Sequence, residues 1–87
     1  MKADKARAIR LIKTARGQLD GLLKMIDDDR YCMDVYNQIL ATQAILQKVS
    51  RDVIHAHLES CVREAFETGQ EQEKIEEVLS LMNKLTT

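Results

Sequence analysis

From Tyr31 to Thr68 the chain runs without a glycine or a proline. Nothing in that stretch breaks a helix. Along it Val35, Ile39, Thr42, Leu46, Val49, Val53 and Ala56 recur at alternating spacings of four and three. That is the seam of one long helix packing lengthwise on another. Both cysteines lie on the stretch, Cys32 near its start and Cys61 near its end, with His57 one turn before Cys61 on the same face. On a continuous helix the two cysteines stand roughly 43 Å apart, at 1.5 Å per residue. They cannot meet within one chain. In an antiparallel pair of such helices, Cys32 of one chain falls beside His57 and Cys61 of the other, so the geometry offers a site that only a dimer completes.

The flanking segments read as shorter helices. The first runs from about 4 to about 26. Ala8, Leu11, Ile12, Ala15, Leu19, Leu22, Leu23 and Ile26 share one sector of about 120° on it. Lys2, Lys5, Arg10, Lys13, Arg16 and Lys24 fill the adjacent sector. Gly17 and Gly21, one turn apart, each weaken a helix relative to alanine and point to close approach of another helix. The run Asp27-Asp28-Asp29 suits the start of the long helix, with Asp28 or Asp29 as its N-cap. The long helix is expected over about 30–68 and closes at Gly69. The third runs over about 71–85, with Ile75, Val78, Leu79, Met82 and Leu85 on one face. The fold class is all-α: a three-helix protomer with one long central helix, forming a single domain over 1–87. Helices of such unequal length close poorly as a monomer, so the overhanging seam calls for a second copy.

Charge is unevenly placed. Residues 1–24 carry seven basic and two acidic residues, a net +5, and residues 25–87 carry six basic and twelve acidic, a net −6. A basic end on a nearly neutral chain can bind a polyanion, because the local field matters more than the sum; a solvated amphipathic helix is the plainer account. No apolar run is long enough to span a membrane, and no signal-peptide pattern opens the chain. The expected location is cytoplasmic, where thiols stay reduced and two cysteines suggest packing, metal or redox chemistry. No acid–base pair, phosphate loop or nucleophile triad is visible, so an enzyme is not expected.

Two thiols and an imidazole form a soft donor set that suits Cu(I), or Zn(II) if a fourth ligand is found. The spacing Cys-x24-His-x3-Cys is not that of a zinc finger. The plainer account makes Cys32 and Cys61 small buried hydrophobes and His57 an ordinary helix residue. His55 points nearly opposite to His57 and reads as structural.

Several motifs stand in order: Arg16-Gly17-Gln18-Leu19-Asp20-Gly21, Tyr31-Cys32-Met33-Asp34-Val35, Gln38-Ile39 and His55-Ala56-His57-Leu58-Glu59-Ser60-Cys61. Together they resemble the copper-sensitive operon repressor (CsoR) family, over about Arg10 to Leu85. The resemblance implies an antiparallel helical dimer assembling as a dimer of dimers, which represses by binding operator double-stranded DNA. In the copper-sensing branch Cu(I) sits in a trigonal site between protomers, and DNA is then released. Its three ligands match Cys32, His57 and Cys61; its surrounding Tyr and Glu match Tyr31 and Glu77. Nickel- and cobalt-sensing relatives need a histidine near the N-terminus and another in place of Cys61, and this chain has neither. The formaldehyde-sensing branch has proline where Lys2 stands. The persulfide-sensing branch keeps both cysteines without requiring the histidine. One basic position of the copper branch is Leu11 here, flanked by Arg10 and Lys13; another matches Lys48.

The expected function is a Cu(I)-responsive repressor that binds DNA through Arg10, Lys13, Arg16 and Lys48. The alternatives are a persulfide-sensing repressor using Cys32 and Cys61, and a cytosolic copper carrier that does not bind DNA. The expected assembly is a homodimer and homotetramer with no membrane association.

Overall fold

The computed structural model describes residues 1–86, with side chains described as far as Lys84. It consists of three helices, α1 (Lys5–Asp27), α2 (Cys32–Thr68) and α3 (Glu71–Thr86). α2 is unbroken for 37 residues. It sets the length of a slab measuring 58 × 28 × 12 Å. A slab about as thick as one helix is a single layer, which cannot cover both faces of an apolar element.

α1 lies antiparallel on the first two-thirds of α2. Its inward residues are Leu11, Ala15, Gln18 and Leu22, of which Ala15 and Leu22 are buried. Two polar ties set the register. The Thr42 hydroxyl, only 3 % exposed, lies 2.8 Å from Gln18 Oε1 and 3.1 Å from the Gln38 carbonyl. Nearer the start of α1, Arg7 Nε donates to Asp52 Oδ2 at 2.8 Å. A hydroxyl buried between two helices loses its water, and a partner on the facing helix offsets that loss only at one register.

The seam expected to meet another copy of the long helix is divided instead. Val35, Val49, Val53 and Ala56 are partly covered and Thr42 is buried, all on the side of α2 that carries α1. Ile39 and Leu46 remain exposed. The apolar sector of α1 divides likewise: Leu11, Ala15 and Leu22 turn inward, while Ile12, Leu19, Leu23 and Ile26 stay exposed. A sector of about 120° is wider than one packed helix can cover.

One expectation about a turn is corrected. Neither Asp28 nor Asp29 caps α2. Asp28 caps the C-terminus of α1, and Asp29 takes a left-handed φ of 53°. Arg30 N–H returns to the Met25 carbonyl at 2.9 Å and Asp29 N–H to Ile26 at 3.1 Å. This is a helix-closing motif in which aspartate fills the position usually held by glycine, as its short polar side chain allows. Tyr31 becomes the N-cap of α2, without a side-chain capping bond. Gly17 and Gly21 have nothing within 4 Å of a built Cβ, so within the protomer no helix approaches them. Gly69 does close α2, at φ 77°.

α3 folds back on the end of α2 and turns Lys74, Glu77, Val78 and Leu81 partly inward. Ile75, Leu79 and Met82 of its expected apolar face are exposed. The side chain of Leu85 lies outside the described residues. Among the described residues no helix is long and apolar enough to cross a membrane.

Candidate metal centre

The last third of α2 and the middle of α3 bring three donors together. His57 and Cys61 are four residues apart on one helix, hence neighbours on one face. His57 Nε2 lies 3.3 Å from Cys61 Sγ. Glu77 of α3 turns its Oε1 to within 3.7 Å of the same His57 nitrogen. One ligand atom from each of His57, Cys61 and Glu77 lies within 4.8 Å of the others. The turn at Gly69 makes this possible, because it sends α3 back along α2 and carries Glu77 over His57.

Lys74 completes the cluster. Its Nζ lies 3.2 Å from Glu77 Oε2, with the lysine side chain 28 % exposed. The hydrogen bond and charge of Lys74, and more weakly those of His57, hold the Glu77 carboxyl below its ordinary range. The same bond holds the Lys74 ammonium above its usual range. Sequence reading missed Lys74; its one signal was a position three residues before Glu77 on a helix.

Cys32 is not in this cluster. It is the first residue of α2 and exposed, whereas Cys61 is half-buried near the other end. Helical rise puts about 43 Å between them. Yet Cys32, His57 and Cys61 lie within about 40° of one another around the α2 axis, at 100° per residue. Ile39 and Leu46 share that sector, so the three residues sit on the uncovered apolar stripe. Tyr31 stands beside Cys32, exposed and remote from His57 of its own chain. His55 points away from the cluster and pairs with Glu59 at 3.7 Å on the surface.

Cysteine sulfur and imidazole nitrogen within 3.3 Å are the soft donors that a monovalent or borderline metal takes, and an open side leaves room for one more. On that chemistry the residues fit a Cu(I) site, with Cys61 and His57 from one protomer.

The basic residues fall on two edges of the α1–α2 layer. Lys13 and Arg16 flank a groove with Ile12, Val49 and Val53. Lys48, one turn before Asp52, lies level with about residue 11 or 12 of α1 in the antiparallel register, on the opposite edge with Arg10. All four are exposed. Arg7 differs: its guanidinium is tied to Asp52, which raises its pKa further.

Residues 4–84 match the family model described as metal-sensitive transcriptional repressor. The copper-sensing transcriptional repressor CsoR of Mycobacterium tuberculosis is 42% identical over 79 residues, covering 91% of this chain and 66% of that protein. CsoR of Bacillus subtilis is 35% identical over 75 residues, covering 86% of this chain and 74% of that protein. The chain thus spans just under two-thirds of the mycobacterial relatives' length. The crystal structure of the copper-sensing repressor CsoR with Cu(I) from Geobacillus thermodenitrificans superposes with a TM-score of 0.84 at 28% identity, covering 100% of this chain and 94% of that one. With a family match over residues 4–84, relatives at 35% and 42% identity and the same helical fold, this chain belongs to the CsoR family of metal-sensitive transcriptional repressors.

Proposed function

We propose that this protein is a Cu(I)-responsive repressor. In this reading the metal-free assembly holds operator DNA, and DNA is released when Cys32 of one protomer and the partner subunit's His57 and Cys61 together hold Cu(I). The observation that carries the reading is the half-built site at the end of α2. His57 and Cys61 are already 3.3 Å apart, while Cys32 waits at the far end of the same face. Two thiolates and one imidazole, with no carboxylate ligand, suit a three-coordinate monovalent ion. The relatives named as copper sensors, and the neighbour solved with Cu(I), support that choice of metal.

A second copy is what the uncovered stripe calls for. Ile39 and Leu46 of α2 and Ile12, Leu19 and Leu23 of α1 are exposed. An antiparallel two-fold pairing of these faces buries them and brings Cys32 to the other subunit's donors. Two such dimers forming a tetramer would set several basic α1 faces side by side, with Arg10, Lys13, Arg16 and Lys48 meeting phosphates. Ligand can shift the DNA equilibrium only through differential affinity for two conformations. Glu77 is the link to α3: it contacts His57 from the same chain, so a change at the imidazole reaches α3 through it. Tyr31, next to Cys32, would join the imidazole from across the dimer.

Persulfide sensing is the second reading. Both cysteines are free, Cys32 is exposed, and a dimer that joins them by metal can also join them through sulfur. One experiment separates the readings. Anaerobic, reduced protein bound to its upstream DNA is titrated with Cu(I) and, separately, with a persulfide donor. Release by Cu(I) near equimolar with the sites is expected. Release by persulfide alone would overturn the copper reading, and absence of DNA binding at any salt would leave a copper carrier.

A further inference from the structure

Glu77 is held from two sides. One carboxylate oxygen lies 3.7 Å from His57 Nε2, and the other accepts from Lys74 Nζ at 3.2 Å. We propose that Lys74 sets the metal selectivity of this site by weakening the Glu77 carboxylate as a metal ligand. The inference rests on the Cu(I) reading above and goes beyond it, since it names the residue that rejects other ions.

One protomer presents sulfur, nitrogen and oxygen donors within 4.8 Å of one another, the oxygen on a carboxylate that Lys74 holds by its other oxygen. That mixed set is one that a divalent ion such as Zn(II) accepts, and carboxylate oxygen is a good Zn(II) ligand. Cu(I) is soft and gains little from the oxygen. A charged lysine has three donors and no acceptor. It can bind Glu77 but not a metal, so it ties Oε2 and offsets the charge of the carboxylate whose other oxygen, Oε1, faces His57.

Position and charge act in the same direction. The Lys74 side chain is 28 % exposed, and it lines an apolar cleft with Val62, Phe66 and Val78. Packing of its stem keeps the ammonium from swinging freely into solvent. The fixed positive charge beside Glu77 repels a divalent ion about twice as strongly as a monovalent one at the same distance. Lys74 therefore disfavours Zn(II) by weakening its oxygen ligand and by charge, while Cu(I) loses less on both counts.

The test measures Cu(I) and Zn(II) affinities of full-length, anaerobic protein by chelator competition, with the visible spectrum of Co(II) reporting the donor set. Four proteins are compared: wild type, Lys74→Gln, Lys74→Arg and the double variant Lys74→Gln/Glu77→Gln. Lys74→Gln should raise Zn(II) affinity about tenfold and change Cu(I) affinity less than about threefold. Lys74→Arg, which keeps both charge and hydrogen bond, should retain the wild-type ratio. The double variant should lose the Zn(II) gain, because the carboxylate is gone. A Zn(II)-to-Cu(I) ratio unchanged by Lys74→Gln, in protein of native helicity, overturns the inference. So does a gain that survives in the double variant. Wild-type protein that fails to bind Cu(I) at all defeats the copper reading instead, which keeps the two failures distinct.

Discussion

The two ends of α2 each carry a cysteine, in opposite states of preparation. At the C-terminal end, His57 and Cys61 lie 3.3 Å apart and are braced by Glu77 and Lys74 from α3. At the N-terminal end, Cys32 is exposed, and its neighbour Tyr31 caps the helix without a side-chain bond. The difference follows from where the short helices dock. α3 folds over the C-terminal end and supplies polar neighbours. α1 lies alongside α2 as far as its start, where Ile26 and Asp29 line a cleft with Cys32, and among the described residues no cluster of three ligating side chains includes Cys32. One protomer thus prepares most of a site at one end of its longest helix and a single bare donor at the other. A rigid helix between them fixes how far away the complementary end must be, and in the proposed dimer an antiparallel copy provides it.

The sharpest way to break this contrast is complementation. Cys32→Ala and Cys61→Ala proteins should each bind Cu(I) at least about a hundredfold more weakly, since each lacks a ligand in every site. Mixed dimers of the two should regain high affinity at half the wild-type stoichiometry, because one of the two sites is then complete. Recovery absent in verified mixed dimers would show that the donors do not come from both chains.

His57→Ala tests the prepared end alone. It should reduce Cu(I) affinity and largely uncouple copper from DNA release, while any persulfide response through Cys32 and Cys61 survives. DNA release at wild-type copper concentrations from this variant would count against the copper site. Glu77→Ala removes only the brace. Copper should stay bound, with its effect on DNA weakened by about tenfold or more, as read by operator binding with and without Cu(I).

The basic edges carry the proposed DNA contacts on the same layer. Arg16→Ala or Lys48→Ala should weaken operator binding about severalfold and reduce its salt slope by about one charge, leaving Cu(I) affinity unchanged. Operator affinity that is flat across salt would remove the electrostatic account.

The smallest expected effect is in pH. Lys74, and less so His57, depress the Glu77 pKa. The support that the ionised carboxylate lends the α2–α3 end is therefore present above the ordinary carboxylate range. It is lost as pH falls through the lowered value. Carboxyl carbon shifts should show Glu77 titrating below the ordinary glutamate range, with the depression relieved in Lys74→Gln. A Glu77 midpoint in the ordinary range would mean the pair does not persist in solution.

Much of the helical plan was legible in the chain. A glycine- and proline-free run with three-and-four spacing admits one long helix, and Gly69 marks its end because a left-handed residue is needed there. The placing of Cys32, His57 and Cys61 on one face follows from 100° per residue alone, as does their separation along the axis. Periodicity could not say which partner each face meets. It merged on α1 residues that turn to α2, such as Ala15 and Leu22, with residues left bare, such as Leu19 and Leu23. It likewise read Thr42 and Ile39 as one seam, although Thr42 is buried against Gln18 and Ile39 is exposed. Helical phase fixes an angle around one axis, and covering that angle depends on where another axis lies. The three aspartates were misassigned because charge near a helix dipole is a weak preference. Backbone closure of α1 needed a left-handed residue at Asp29, and that local geometry decided the turn. The tie from Lys74 to Glu77, and from Glu77 to His57, depends on how α3 folds back from Gly69. Those contacts span two helices joined by a turn, and only the tertiary structure sets the angle of that return.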